Sequence, residues 1–130
     1  MRWYLDSSAI IKLIKFESES KALESALPKN IATSQLARVE VIRTIAIHAP
    51  DLLESAYDVL IDIAMIPLDR SVLSQAENLP PFIKLRALDS IHLASALFLL
   101  NEVGGIITYD KEMITAAHSL GLTTLSPGMK

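Results

Sequence analysis

Several absences limit what this chain of 130 residues can be. It contains no cysteine, which excludes disulfides, thiolate zinc sites and cysteine nucleophiles. Its longest charge-free apolar run, residues 91–100, is about half the length that crosses a bilayer. The N-terminus lacks a basic stretch followed by an apolar segment and a small-residue cleavage site. We therefore expect a cytoplasmic protein without a membrane-spanning segment.

Basic residues are also fewer than acidic ones. The 12 lysines and arginines are outnumbered by 15 aspartates and glutamates, which gives a net charge of −3. A broad basic face that grips nucleic acid is therefore not expected. Apolar residues are abundant, at 51% of the chain. They predict one domain over residues 1–130 with a sizeable buried core.

The apolar residues follow a pattern that switches repeatedly between strand and helix spacing. Strands are predicted at residues 2–5, 31–33, 65–68, 106–109 and 122–125. Helices are predicted at residues 7–17, 18–27, 35–48, 51–64, 71–79, 84–101 and 111–121. This alternation predicts an α/β sandwich with a mainly parallel sheet.

Proline and glycine set two expected boundaries in this pattern. Pro67 falls inside the predicted strand 65–68 and places that strand near an edge of the sheet. The pair Gly104 and Gly105 is expected to close the helix 84–101 shortly after its end.

Two of the predicted strands end on an aspartate, Asp6 and Asp110. In open parallel sheets, ligands bind at the carboxyl ends of the strands, near the point where the strand order reverses. The two carboxylates are therefore expected to face one crevice. The alternative is that each serves only as the N-cap of the helix that follows it, which is the commoner role of a single aspartate at such a position.

Two further acids lie within helices, among apolar neighbours. Glu40 and Asp89 occupy positions where the helix pattern favours burial, and a buried carboxylate requires a hydrogen-bond donor, a cation or a metal ion. The alternatives are ion pairs on a partly exposed face. Glu40 would then pair with Arg38 or Arg43, and Asp89 with Arg86.

Together these four acids indicate more than any one of them alone. Four converging carboxylates repel one another, and a divalent cation relieves that repulsion. Oxygen ligands without cysteine suit Mg²⁺ or Mn²⁺ better than zinc. One or two such ions activate water for phosphodiester cleavage in known two-metal sites.

The chain resembles a PIN-domain ribonuclease, specifically the VapC-type toxin of a toxin–antitoxin pair. Four segments carry the resemblance and span nearly the full length: YLDSSAIIKL, SQLARVEV, LRALDSIHLASAL and IITYDKEMITAAHSLGLTTLSPG. The resemblance implies a three-layer α/β/α sandwich with a parallel sheet. It also implies an endoribonuclease that hydrolyses RNA with Mg²⁺-activated water, for which Mn²⁺ is a plausible substitute.

Carried over by motif, the catalytic metal ligands are Asp6 of YLDSS, Glu40 of ARVEV, Asp89 of RALDSIH and Asp110 of ITYDKE. In the arrangement we expect, Asp6 and Asp89 bind the metal, and the other two acids complete the shell directly or through water. Ser8 stands where the family commonly has a hydroxyl that supports the first aspartate. A helix cap is the alternative role for Ser8.

The resemblance further implies an RNA substrate, a cognate antitoxin that covers the site, and a homodimer. Lys12, Arg43 and Arg86 lie close in sequence to the acids and are candidates for contacts with RNA phosphates. Their alternative role is ordinary solvated surface. His92, three residues after Asp89, is expected to orient a neighbour or to pack, rather than to act directly on the substrate.

Two rival functions remain at this point. A phosphatase or phosphoacceptor domain also places aspartates at strand ends, but it requires neighbouring acids that this chain lacks at Ser8 and around Asp6. A catalytically inactive PIN-like interaction domain would keep the fold and use its acids as caps. Against that rival, Glu40 and Asp89 lie amid apolar neighbours, where a carboxylate without a task is costly.

Overall fold

A computed structural model describes residues 2–99 and 103–130. In chain order the elements are β1 (Arg2–Leu5), α1 (Ser7–Ile14), α2 (Ser20–Ala26), β2 (Ile31–Ser34), α3 (Gln35–His48), a 3₁₀ turn (Pro50–Leu52), α4 (Leu53–Ile61), β3 (Ala64–Ile66), α5 (Arg70–Glu77), α6 (Ala87–Phe98), β4 (Val103–Ile107), α7 (Lys111–Ser119) and β5 (Thr124–Leu125). Within the described residues, no helix has both the length and the apolar character needed to cross a membrane.

The five strands form one parallel sheet in the order β3-β2-β1-β4-β5. Strand β1 is central: Trp3 pairs with Ile31 of β2 on one side and with Gly105 of β4 on the other. From β1 the chain builds outward through β2 and β3, and then returns to place β4 on the opposite side. The strand order therefore reverses between β1 and β4, which is where parallel α/β sheets form their ligand crevice.

Successive side chains of the central strands point to opposite faces, as the strand period of two requires. Leu5 and Ile107 pack on one face against buried residues of α1, α2, α3 and α4. Tyr4 and Ile106 pack on the other face against α6 and α7. Helices thus cover both sides of the sheet, and the predicted α/β/α sandwich is confirmed. Burying each of these large side chains stabilises the fold by roughly 1.5–3 kcal/mol.

The predicted helix 51–64 is too long at its C-terminal end. Helix α4 ends at Ile61, and Ala64 already belongs to β3, where it pairs with Ala32 of β2. Strand pairing therefore overrides the helical spacing of these last residues. Strand β3 does lie at a sheet edge, as Pro67 predicted, and Pro67 itself falls just beyond the strand.

The prediction that Gly104 and Gly105 follow the helix as a terminator is wrong, because both belong to strand β4. They are required for close approach: a Cβ on Gly104 would lie 2.7 Å from Nε1 of Trp3, and one on Gly105 would collide with the carbonyl oxygen of Thr123. The preceding helix, α6, ends at Phe98. Residues 100 and 101 of the predicted helix lie outside the described residues.

Other boundaries shift by a few residues. Helix α6 begins at Ala87 rather than at residue 84. Strand β4 runs from Val103 to Ile107, so that Thr108 and Tyr109 follow the strand instead of belonging to it. This shift places both residues at the carboxyl edge of the sheet.

Candidate active site

The structure brings the four predicted acids to one region, the carboxyl edge of the sheet between β1 and β4. Asp6 directly follows β1, Asp110 precedes α7, Asp89 lies in the first turn of α6, and Glu40 lies in α3. Burial raises the pKa of the Asp89 carboxyl most, and the negative charges of Asp110, Asp6 and Glu40 raise it further against an opposing effect of His92. Asp89 is therefore close enough to the other three carboxylates to be affected by their charges.

Asp6 is the most enclosed of the acids, with 4% of its surface exposed. Its Oδ1 accepts hydrogen bonds from the Ser8 hydroxyl (2.5 Å) and the Ala9 backbone N–H (3.1 Å), and its Oδ2 accepts one from the Thr108 hydroxyl. Burial raises the pKa of Asp6 more than these donors lower it. Among the described residues no lysine or arginine pairs with Asp6. A cation at this edge would favour its ionised form.

Asp6 and Asp110 both serve as helix N-caps, as the alternative interpretation held. Asp6 caps α1, and Oδ1 of Asp110 accepts the backbone N–H groups of Glu112 (2.9 Å) and Met113 (3.5 Å) at the start of α7. Capping uses only part of each carboxylate, because an ionised carboxyl group has about four acceptor positions. The caps therefore fix the orientation of both side chains and leave further acceptor positions on each carboxylate.

The alternative partners for the two helical acids are not formed within the described part of the chain. Asp89 makes no ion pair with Arg86, and Glu40 makes none with Arg38 or Arg43. Asp89 is instead partly exposed in the first turn of α6. The positive end of that helix dipole favours a negative charge there.

Glu40 takes its partners from two other elements. Its Oε1 lies 2.5 Å from Nε2 of His92 and accepts a hydrogen bond from the Ser7 hydroxyl at 2.7 Å. Burial on its own would raise the pKa of Glu40, but the hydrogen bonds to His92 and Ser7 outweigh it, and the pKa lies below the ordinary value. Glu40 is therefore a carboxylate at neutral pH.

His92 occupies a more central place than the sequence indicated. It is buried, and its Nδ1 lies 2.8 Å from the hydroxyl of Tyr4, which in turn lies 3.0 Å from Oγ of Ser34. The expectation that His92 orients a neighbour agrees with this geometry. The spacing of three residues from Asp89 was the only sequence signal, and it did not identify Tyr4 or Glu40 as the partners.

Ser8 has the contacts predicted for a supporting residue. Its hydroxyl donates to Asp6 and accepts a hydrogen bond from the backbone N–H of Tyr109 at 3.0 Å. Thr108, which the sequence did not single out, acts in parallel: its hydroxyl donates to Asp6 and accepts the N–H of Asp110 at 3.1 Å. A threonine just after a strand and two residues before an aspartate was the available signal.

The three residues suggested for RNA contacts differ in their surroundings. Lys12 is largely covered, with its Nζ 3.2 Å from Glu17, 3.1 Å from Glu19, and 4.8 Å from the centre of the Tyr109 ring. Arg43 and Arg86 are exposed. A role in RNA binding stays a prediction for all three, and Lys12 would first have to leave its ion pairs.

The donor chemistry of the site fits a hard divalent cation. Among the described residues, no three histidine, aspartate or glutamate side chains already stand in a coordination group. Mg²⁺ does not require one, since it is usually held by one or two carboxylates and keeps several waters. Mutual repulsion at Asp89 and the absence of a cationic side chain at Asp6 are the observations that favour such an ion.

Comparison with known proteins shows the family of the chain. A family model of the PIN domain matches residues 3–118. The chain is 40% identical to "Ribonuclease VapC46" of Mycobacterium tuberculosis over 128 residues, which cover 95% of this chain and 96% of the relative. It is 36% identical to "Ribonuclease VapC47" of the same species over 132 residues, with 96% of each chain covered.

A solved structure, "Toxin-antitoxin complex from Klebsiella pneumoniae", contains a chain with the same fold. The TM-score is 0.78 at 20% identity, and the match covers 98% of this chain and 99% of the other. The family resemblance predicted from four sequence segments is confirmed over nearly the whole length. This chain belongs to the PIN-domain family, in the group of its VapC-type members.

Proposed function

We propose that this protein is a metal-dependent endoribonuclease, the toxin of a VapBC-type toxin–antitoxin pair, which hydrolyses RNA phosphodiester bonds. The observation that carries the proposal is the convergence of four carboxylates at the β1–β4 crevice, where burial, and then the charges of the other three acids, raise the pKa of Asp89. The names of its VapC relatives support the ribonuclease activity. An interaction domain without catalysis would gain nothing from this repulsion.

In the proposed site, Asp6 and Asp89 would hold Mg²⁺, and Glu40 and Asp110 would complete its shell directly or through water. When bound, the ion lowers the pKa of water to supply the nucleophile and stabilises negative charge on the phosphate. Mn²⁺ is the expected substitute, because it also prefers oxygen ligands.

The chain's own residues contribute position and charge. Ser8 and Thr108 fix the two oxygens of Asp6, so that this buried carboxylate cannot rotate away from the crevice. The N-terminal ends of α1, α6 and α7 carry Asp6, Asp89 and Asp110 and border the same edge. Their partial positive charges favour the binding of a phosphate group beside the acids.

A groove next to the acids offers a path for an RNA strand. Its volume is about 350 Å³, and it lies between the segment 82–85 and helix α7. Lys84 and Lys111 line it, and neither forms an ion pair within the described residues. Phe82, with 63% of its surface exposed, lines it as well. Lysines for phosphates and an exposed ring for base stacking are what a single-stranded nucleic acid requires.

Lys111 directly follows Asp110, and the segment 82–85 precedes α6, which carries Asp89, so the groove borders the segments that carry two of the acids. An RNA strand lying in it would reach the acids. Arg43 and Arg86 are the further candidates for phosphate contacts. Lys84 and Lys111 would supply positive charge locally in a chain whose net charge is −3, although Glu112 also lines the groove.

The proposal includes two protein partners and a compartment. A cognate antitoxin would cover the site, as expected for the VapC type, and the toxin would form a homodimer. Both would operate in the cytoplasm, where the RNA substrate is. The shared fold with a chain of the Klebsiella pneumoniae toxin–antitoxin complex supports the antitoxin in particular.

The decisive experiment incubates the purified protein with a mixture of cellular RNAs, with Mg²⁺ or with EDTA, and sequences the RNA ends produced. We expect cleavage that requires Mg²⁺ and is lost in Asp6→Asn and Asp89→Asn, with circular dichroism unchanged. Cleavage that survives in both variants would contradict the site. No cleavage of any RNA by the wild-type protein would favour the interaction-domain rival.

A further inference from the structure

A buried row of polar side chains runs from the sheet to Glu40. The hydroxyls of Ser34 and Tyr4 lie 3.0 Å apart, Tyr4 lies 2.8 Å from Nδ1 of His92, and Nε2 of His92 lies 2.5 Å from Oε1 of Glu40. Ser34, Tyr4 and His92 are each less than 3% exposed. Of the four residues, only Glu40 belongs to the acid site.

Counting protons in this row assigns one tautomer to a neutral His92 ring. Oε1 of Glu40 is an acceptor that already receives the Ser7 proton, so the nitrogen 2.5 Å from it must also donate. Nε2 of His92 therefore carries a hydrogen. A neutral imidazole has only one N–H, which leaves Nδ1 as an acceptor facing Tyr4.

Tyr4 has a single hydroxyl proton, and donating it to Nδ1 satisfies that nitrogen. In the contact between the two hydroxyls, Ser34 is then the donor and Tyr4 the acceptor, because either hydroxyl of such a pair can donate. Oγ of Ser34 accepts the backbone N–H of Ala37 at 3.2 Å, and its own proton remains for Tyr4. Every group in the row has a partner, with no charge needed on the imidazole.

We propose that His92 is a positioning residue whose tautomer is fixed by Tyr4, and that it holds Oε1 of Glu40 so that Oε2 alone is left for the crevice. Buried histidines that orient a carboxylate in this way are themselves set by the hydrogen bond at their second nitrogen. The function of Glu40 beside a metal ion rests on the proposed function. The assignment of the His92 tautomer does not rest on the proposed function.

The first test is nitrogen-15 NMR of the imidazole in the metal-free protein at one neutral pH. We expect the spectrum of a histidine that is protonated at Nε2 and unprotonated at Nδ1. In Tyr4→Phe the donor to Nδ1 is lost, and the Nδ1 resonance should shift. A wild-type His92 that is protonated at Nδ1, or a spectrum that Tyr4→Phe leaves unchanged, would overturn the proposal.

The second test measures Mn²⁺ binding by calorimetry. His92→Leu should weaken binding on the order of 10–100-fold, the effect typical of removing a group that orients a ligand. His92→Gln, whose amide can still donate near the position of Nε2, should recover part of this loss. His48→Leu is the matched control, because His48 is exposed on α3 and away from the row.

The outcomes separate the two proposals. If the wild-type protein binds no Mn²⁺ and cleaves no RNA, the proposed function fails while the NMR result still decides the tautomer. If the wild type binds and cleaves, and His92→Leu binds Mn²⁺ equally well, then positioning by His92 is wrong. Equal loss in His92→Leu and His92→Gln, with both variants folded, would also count against it.

Discussion

The hydroxyl of Thr108 donates a hydrogen bond to Oδ2 of Asp6 and accepts one from the backbone N–H of Asp110. One hydroxyl thereby joins the first acid of the site to the peptide that carries the last. The backbone N–H of Asp6 makes a parallel link by donating to the carbonyl oxygen of Ile107 at 3.3 Å. The positions of Asp6 and Asp110 are therefore coupled through the β1–β4 junction.

Replacing Thr108 by valine should destabilise the fold and impair the site together. The change leaves Oδ2 of buried Asp6 without its donor, and an unsatisfied buried group costs about 1–3 kcal/mol of unfolding free energy. Urea denaturation of Thr108→Val against wild type measures this cost. Thr108→Ser keeps the hydroxyl and should retain most of the stability. If valine and serine variants were equally stable, the hydrogen bond would not hold Asp6.

The pH dependence of stability without metal should show the burial of Asp6 and Asp89 and, at Asp89, the added repulsion of the neighbouring acids. Asp6 and Asp89 have raised pKa values in the folded state, so the folded protein binds their protons more tightly than the unfolded chain does. The unfolding free energy should therefore rise as the pH falls from neutral through these raised pKa values. Chemical denaturation in EDTA at a series of pH values tests this.

Glu40 should act in the opposite direction and at lower pH. Because its pKa lies below the ordinary value, its contribution to stability is present above the unfolded pKa and is lost as the pH falls through the folded one. Asp89→Asn should reduce the gain seen from neutral pH downward, whereas Glu40→Gln should chiefly remove the later loss at more acidic pH, because Glu40 is the smallest of the causes that raise the pKa of Asp89. Identical profiles for the two variants would contradict the assignment.

Metal binding should stabilise the folded protein measurably. An ion at 100 times its dissociation constant adds about 2.7 kcal/mol if it binds only the folded state. We expect Mg²⁺ and Mn²⁺ to raise the denaturation midpoint, EDTA to reverse the effect, and Asp89→Asn to abolish it. Asp62→Asn is a suitable control, since Asp62 is an exposed acid at the end of α4. An equal response from the Asp62 and Asp89 variants would indicate general ion effects only.

The groove beside the acids should contribute to RNA binding through charge and stacking. Binding would be measured in a protein that carries Asp6→Asn, so that the RNA is not cleaved. In that background, Phe82→Ala should weaken binding of single-stranded RNA by roughly 1–3 kcal/mol. Lys84→Ala and Lys111→Ala should each reduce the slope of log affinity against log salt by about 0.7. Lys29→Ala is the control, because Lys29 precedes the amino end of β2 at the opposite edge of the sheet. Unchanged affinity and slope in all three groove variants would exclude this path.

The sequence predicted the features that depend on local patterns. Strands and helices followed from apolar spacing, and the four acids followed from their positions at strand ends and on helices among apolar neighbours. Element ends were less predictable, since pairing with a neighbouring strand decides them. Ala64 fits a helix by spacing and joins β3 because β2 lies beside it.

The contacts that orient the acids could not be predicted, because they join distant parts of the chain. Tyr4 and His92 are 88 residues apart, and His92 and Glu40 are 52 apart. No local pattern marks such pairs before the sheet order is known. The prediction for Gly104 and Gly105 was wrong for a related reason. Both glycines leave room for Trp3 and Thr123, which come close to them only in the assembled sheet.

The central place of β1 has a consequence for the timing of synthesis. Of the five strands in the sheet, the first to be synthesised lies in the middle, and its neighbour β4 begins only at Val103. A nascent chain that has folded its N-terminal half still lacks the strand that completes the crevice, since domains are synthesised from the N-terminus onward. A chain synthesised only to a point before Asp110 would therefore carry an incomplete cluster of acids, without the residue that caps α7.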